Sequence, residues 1–200
     1  MQMNRRRFLA ISAAAFGAAR PALAAPRQIW TGVALGARAS IRLDHPQAEA
    51  IAARAAAEIA RLEGIFSLYR ADSALSQLNA AARLTAPPPE LLECLTLAGS
   101  IHRATGGLFD PTVQPLWALW AERATAGSRP TVDALAATRA LGQWADLRLD
   151  AGEITMAPGM GLTLNGIGQG YIADRIAALL EAEGLTDILI DTGELRALGG

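Results

Sequence analysis

Residues 163–174 read TLNGIGQGYIAD: a short apolar strand runs into three closely spaced glycines and then directly into an amphipathic helix. Gly166, Gly168 and Gly170 remove side chains so that main-chain NH groups can approach an anion. The positive end of a helix beginning near Gln169 or Gly170 adds favourable electrostatics. The pattern points to a nucleotide-like ligand without saying which one.

Outward from this stretch, the chain alternates between apolar runs and Ala-rich helical periods. Downstream, residues 171–183 form the helix, stopped by Gly184, and residues 187–191 form a strand. Upstream, residues 147–149 and 153–156 pattern as a hairpin around Ala151-Gly152, and residues 131–141 as a helix capped by Thr131. A Pro-punctuated stretch holds Trp117 and Trp120; before it, residues 91–104 form a helix entered from PPPE at 87–90 and closed by Gly106 and Gly107. The segment FSLYRADSALSQLNA is a loop entering a short helix, with Asp72 or Ser73 at its cap. Residues 46–62 form a helix with Asp44 ahead as a candidate cap, and residues 29–43 form a strand pair or bulged strand. This order predicts an α+β fold with at least one β-α-β crossover.

Two hundred residues, 52% of them apolar, suit one domain with a real core. The net charge of −1 hides an asymmetry, because Arg5, Arg6, Arg7 and Arg20 all precede Ala25 and leave 14 basic against 19 acidic side chains in the remainder. That remainder is mildly acidic, which argues against general nucleic-acid binding. There is no lysine, so every fixed cation is an arginine. Cys94, the single cysteine, sits in the apolar run LLECLTLAG and reads as a small buried hydrophobe.

Residues 1–24 read as a twin-arginine signal peptide: NRRRFL at 4–9, the apolar stretch AISAAAFGAA, then Ala22-Leu23-Ala24 as a small-x-small cleavage site. The apolar stretch is too short for a permanent transmembrane anchor. The expectation is a periplasmic protein whose mature chain, residues 25–200, starts near Ala25.

Three further segments can carry chemistry. In FSLYR, Tyr69 beside Arg70 can stack on a flat ring or hold a phosphate, or pack in the core. In TGGLFDPTVQP at 105–115, Asp110 either accepts from a ligand NH or fixes the turn itself. In IDTGELR at 190–196, Asp191 binds a ribose hydroxyl or a metal, or caps the turn. His45 and His102 lack ligand-spaced partners and read as solvent-facing or locally bonded.

FSLYRADSALSQLNA, TGGLFDPTVQPLWALW and TLNGIGQGYIADRIAALLEAEGLTDILIDTGELRALGG, in this order and at these separations, resemble the ApbE family of FAD:protein FMN transferases across essentially the whole mature chain. The form LNGIGQGY, with glutamine where most members have lysine, is most similar to the NosX-type branch associated with nitrous oxide respiration. The resemblance implies an ApbE-like, T-fold-related architecture with a mixed sheet and packed helices. It also implies a reaction: with magnesium, the FMN half of FAD moves to a threonine hydroxyl of a partner flavoprotein, and AMP is released. For this branch the implied partner is a membrane-bound electron-transfer protein.

Carried over by position, the resemblance implies that Leu35 stands where the family has a methionine touching the flavin and that Tyr69 is an aromatic FAD contact. Leu108, Phe109 and Asp110 line the nucleotide, Thr163 and Gln169 add two contacts, and the main-chain oxygen of Gly166 ligates magnesium. Thr163 replaces a common aspartate and Gln169 a lysine, so a cation near the pyrophosphate is replaced by a neutral amide. The chain stops at Gly200, short of the portion where family members keep further metal ligands and the general base, which predicts a truncated product with weak transferase activity. Two alternatives remain: a non-catalytic flavin-binding assembly factor, and a nicotinamide-dependent oxidoreductase. The second is disfavoured because the dinucleotide fingerprint wants its third glycine where this chain has Tyr171.

Overall fold

The computed structural model of the chain describes residues 27–185, 188–191 and 195–198. The twin-arginine segment and its cleavage site therefore lie outside the described residues, as do Asp187 and, within IDTGELR, Thr192 to Glu194.

The strand pair expected over 29–43 is a tight antiparallel hairpin, β1 (Arg27–Ala34) and β2 (Ala37–Asp44). Its two-residue turn, Leu35-Gly36, holds both residues at positive φ, 49° and 81°, the geometry that matches the twist of adjoining strands. Glycine takes this conformation freely, whereas Leu35 needs outside support, given below.

Helix α1 (Ala48–Phe66) follows, beginning after Gln47 with no side-chain cap and extending beyond Leu62, its expected end. Its Ile51, Ala55, Ile59 and Leu62 form a stripe at helical spacing that is fully or almost fully buried. Helix α2 (Ala74–Ala81) is capped by Ser73, whose side chain accepts from the Ser76 amide. Helix α3 (Pro89–Ala104) starts with its proline in the first turn, where a missing NH costs nothing.

A second helix pair, α4 (Gln114–Thr125) and α5 (Val132–Arg139), buries no residue. Thr131 caps α5 as expected, with its hydroxyl accepting from Ala134. Helix α4 differs from the expectation, because Pro115 reads as punctuation in sequence yet occupies the first turn. Strand β3 (Arg83–Thr85) carries no signal of its own: only its pairing with β5 (Glu153–Thr155) defines it. The expected hairpin forms between β4 (Arg148–Leu149) and β5.

Helix α6 (Gly168–Ala182) leads to β6 (Ile188–Asp191) and β7 (Leu195–Leu198). The larger sheet runs β1-β2-β6-β7 and the smaller β3-β5-β4, and every strand pair among the described residues is antiparallel.

The α+β class holds, but among the described residues no β-α-β crossover forms, because the run before α6 is not a strand. Met160, Leu162 and Leu164 are buried, yet the role of a neighbouring strand is taken by one side chain. Asn79 accepts from the Leu162 amide at 2.8 Å and donates to the Leu162 carbonyl at 2.9 Å. The Thr163 amide donates to the Pro111 carbonyl. An apolar alternation thus satisfies its backbone without joining a sheet.

Candidate functional site

The glycine-rich segment reaches α6 through a turn in which the amides of Ile167 and Gly168 both donate to the Leu164 carbonyl. Ile167 precedes the helix without a side-chain cap, so backbone groups and the helix dipole dominate this end. Beside it lies a cavity of about 500 Å³, walled by Leu97 and Ile101 of α3 and by Asn165, Gly166, Gln169 and Asp174.

Two of the three glycines are pressed by neighbours. A Cβ at Gly168 would lie 2.9 Å from Leu35 Cδ1, and one at Gly166 would lie 3.2 Å from Phe109 Cε2. The hairpin tip and the TGGLFD loop therefore converge on the start of α6. A Cβ at Gly36 would lie 2.8 Å from Tyr69 Cε2, so the tyrosine ring lies over the same tip. These contacts gather Leu35, Tyr69, Phe109 and Gly166 around the start of α6, where Gln169 lines the cavity.

The other three predicted residues are placed differently. Leu108 is 93% exposed, and its amide donates to the Thr105 carbonyl. Asp110 fixes its turn: its Oδ1 accepts from the Thr112 amide at 2.9 Å and the Thr112 hydroxyl at 2.7 Å, capping the 3-10 turn Pro111–Val113. Thr163 sits beside that turn, and its hydroxyl accepts from the Asn165 amide at 3.2 Å.

Several residues position the site through bonds that the sequence expectations did not include. Glu63 of α1 accepts from the Leu35 amide at 2.9 Å, supporting the positive-φ tip. Ser67 accepts from the Tyr69 amide, and its carbonyl accepts from the hydroxyls of Ser73 and Ser76. Tyr171 donates to Glu93 and meets Phe66 edge-on at 5.3 Å, tying the first turn of α6 to α1 and α3. Burial, then the Glu93 carboxylate, hold the Tyr171 phenol protonated well above its usual range. No pattern in one sequence distinguishes such a Glu or Ser from its surface counterparts.

No arginine is among the residues lining the cavity, while Asp174 is. The pyrophosphate of a nucleotide would therefore be met by backbone amides and the helix end rather than by a fixed cation. Cys94 is buried in α3, and desolvation pushes its thiol up to about 12, so it is a packing residue and not a nucleophile.

A model of the ApbE family matches residues 35–200. The chain belongs to the ApbE family. An FAD:protein FMN transferase of Klebsiella pneumoniae (strain 342) is 31% identical over 163 residues, covering 76% of this chain and 46% of that protein. One from Treponema pallidum (strain Nichols) is 34% identical over 169 residues, covering 73% and 46%. This ApbE-family chain thus spans about half the length of the curated relatives it matches.

Among solved structures, the apo flavinyl transferase ApbE of Pseudomonas stutzeri is 28% identical, with a TM-score of 0.74, covering 86% of this chain and 58% of that one. Flavin transferase ApbE of Vibrio cholerae, 23% identical with a TM-score of 0.75, covers 87% and 60% and shows the same fold.

The magnesium implied by this family does not fit the donors present. Among the described residues no three His, Cys, Asp or Glu side chains gather around a point. The Gly166 carbonyl would supply one oxygen, whereas magnesium demands near-octahedral oxygen coordination.

Proposed function

We propose that this chain carries the nucleotide-gripping portion of an FAD:protein FMN transferase. What supports the reading is the contact of Phe109 with Gly166, a residue that lines the cavity beside the first turn of α6, together with the packing of Leu35 against Gly168 at the start of that helix. In the reaction the threonine hydroxyl oxygen of an acceptor flavoprotein attacks the FMN phosphorus. A phosphorus–oxygen bond forms as the one to AMP breaks, AMP leaves with the electron pair, and the hydroxyl proton is released to solvent. The part assigned to this chain is to hold the diphosphate with main-chain NH groups and to flank the flavin with Leu35 and Tyr69. Leu108, Thr163 and Gln169 are assigned further contacts with FAD, and Asp110 acts by shaping the turn beneath them.

Magnesium belongs to the proposed reaction, but the described donors do not hold it, so it enters no step assigned to these residues. The 200-residue chain is accordingly expected to bind FAD and to release little AMP. Titration of purified chain with FAD, followed by flavin fluorescence, tests the grip; AMP release and in-gel fluorescence of a threonine-bearing acceptor domain test transfer. No FAD binding, or selective binding of NADH, overturns the reading; strong labelling of the acceptor overturns the expectation that the metal ligands are lacking.

The absence of a cavity-lining cation and, among the described residues, of a metal-donor set favours one second reading, a flavin-binding assembly factor that transfers nothing. FAD binding with acceptor labelling at background, at every magnesium concentration, supports it. The dinucleotide-oxidoreductase reading loses its basis, because no strand immediately precedes α6.

The proposal extends to location and partner. Residues 1–24 act as a twin-arginine signal that delivers residues 25–200 to the periplasm, and the acceptor is a membrane-bound electron-transfer protein of nitrous oxide respiration. No helix among the described residues is long and apolar enough to cross a membrane. Fractionation of cells carrying the chain with both Arg5→Lys and Arg6→Lys tests the route: retention in the cytoplasm is expected.

A further inference from the structure

We propose that His102 is a positioning residue for the cavity: it holds the Phe109 carbonyl so that the Phe109 ring stays against Gly166. The inference rests on the nucleotide reading above for its ligand, but its geometry stands apart from it.

Helix α3 ends where the TGGLFD loop begins, and both backbone polar groups of Phe109 return to that end. Its amide donates to the Thr105 hydroxyl at 3.1 Å, and its carbonyl lies 2.8 Å from His102 Nδ1. A carbonyl can only accept, so Nδ1 carries the proton. That donor survives further protonation of the ring, because the imidazolium donates from both nitrogens.

The imidazole is itself held. It stacks on Trp144 at 5.6 Å between centroids with planes 29° apart, and a Cβ at Gly99 would lie 2.6 Å from the same indole. Trp144 thus lies across Gly99 and His102, one turn apart on α3, and limits the imidazole to the orientation that reaches Phe109. Gly107, at φ 85°, turns the chain back, and its amide donates to the His102 carbonyl. These bonds fasten the loop to one helix end, and its aromatic ring is the part that meets Gly166 at the wall of the cavity.

The test compares three variants of the full chain. His102→Asn keeps a donor near the Nδ1 position, His102→Asp replaces it with acceptors of the same size, and His102→Leu keeps bulk without polarity. FAD affinity is expected to fall about tenfold in the Asp and Leu variants and to stay within about threefold of wild type in the Asn variant, the scale of one lost hydrogen bond. Amide hydrogen exchange of residues 105–109 is expected to quicken in the same two variants and not in the third.

If the Leu variant does not fold, the isosteric Asn and Asp pair decides. Equal affinity and equal exchange in all variants overturn the role of His102 while leaving wild-type FAD binding intact. An equal loss in Asn and Leu overturns it too, because stacking on Trp144 rather than the donor would then be what counts. Failure of the wild-type chain itself to bind FAD overturns the nucleotide reading instead, and the exchange measurement still decides whether His102 holds the loop.

Discussion

At Gly170 an added methyl group would meet nothing within 4 Å, whereas at Gly166 it would press on Phe109 at 3.2 Å. Two glycines of one motif therefore predict different outcomes. Gly170→Ala removes a helix-weakening residue and should raise stability by about 0.5–1 kcal/mol, measured by chemical denaturation. Gly166→Ala should displace the Phe109 ring and weaken FAD binding by roughly tenfold, with the larger change in affinity rather than in stability. Cys94 should resist thiol reagents in the native chain and react only on unfolding, since burial keeps its thiol neutral up to about 12. The sequence marked the glycines as special but not which neighbour each one serves. That depends on Leu35 and Phe109 arriving from parts of the chain far from the motif.

At the scale of elements, Ser73 and Asn79 show how single side chains set boundaries. Ser73 is fully buried, accepts from the Ser76 amide and donates to the Ser67 carbonyl. Ser73→Ala should cost about 1–2 kcal/mol, read as a fall in the denaturation midpoint. Asn79→Leu strands a backbone donor and acceptor at Leu162 and should cost about 2–4 kcal/mol, measured the same way. The cap Thr131 was legible, and Ser73 was one of two candidates with Asp72, because a hydroxyl or carboxylate before an apolar period has a local meaning. That the expected strand ending at Leu164 does not form was not legible: apolar patterning reports burial, not what pairs with the backbone between the buried residues. Helix α4 was obscured for the converse reason, because Pro115 ends a helix from within but suits its first turn. The resemblance assigned residues of the hairpin tip, the TGGLFD loop and α6 to one ligand, whereas Glu63 and His102 had no local signal.

Across the whole molecule, Arg61 joins α1 to α3, bonding Glu58 at 2.8 Å and Glu90 at 2.7 Å. The Arg61 hydrogen bond holds Glu58 below its ordinary value of 4.5 despite some burial. At Glu90 burial pushes upward, but its own backbone amide and Arg61 outweigh it. Depressed carboxylates contribute stability above their unfolded value and lose it as pH falls through the lower folded one. Arg61→Met should therefore cost about 0.5–1 kcal/mol at neutral pH, a modest sum because the arginine is half exposed. The gap to wild type should close as pH drops below the ordinary 4.5, followed by denaturant midpoints.

The larger sheet joins Ser40, Ile41 and Arg42 of β2 to Asp191, Ile190 and Leu189 of β6, with every helix of the described chain lying between them in sequence. A hairpin made first on the ribosome must consequently wait until β6 has been synthesised before its inner edge is zipped. Until then the nascent chain carries an open β-edge that a chaperone or a second nascent chain can capture.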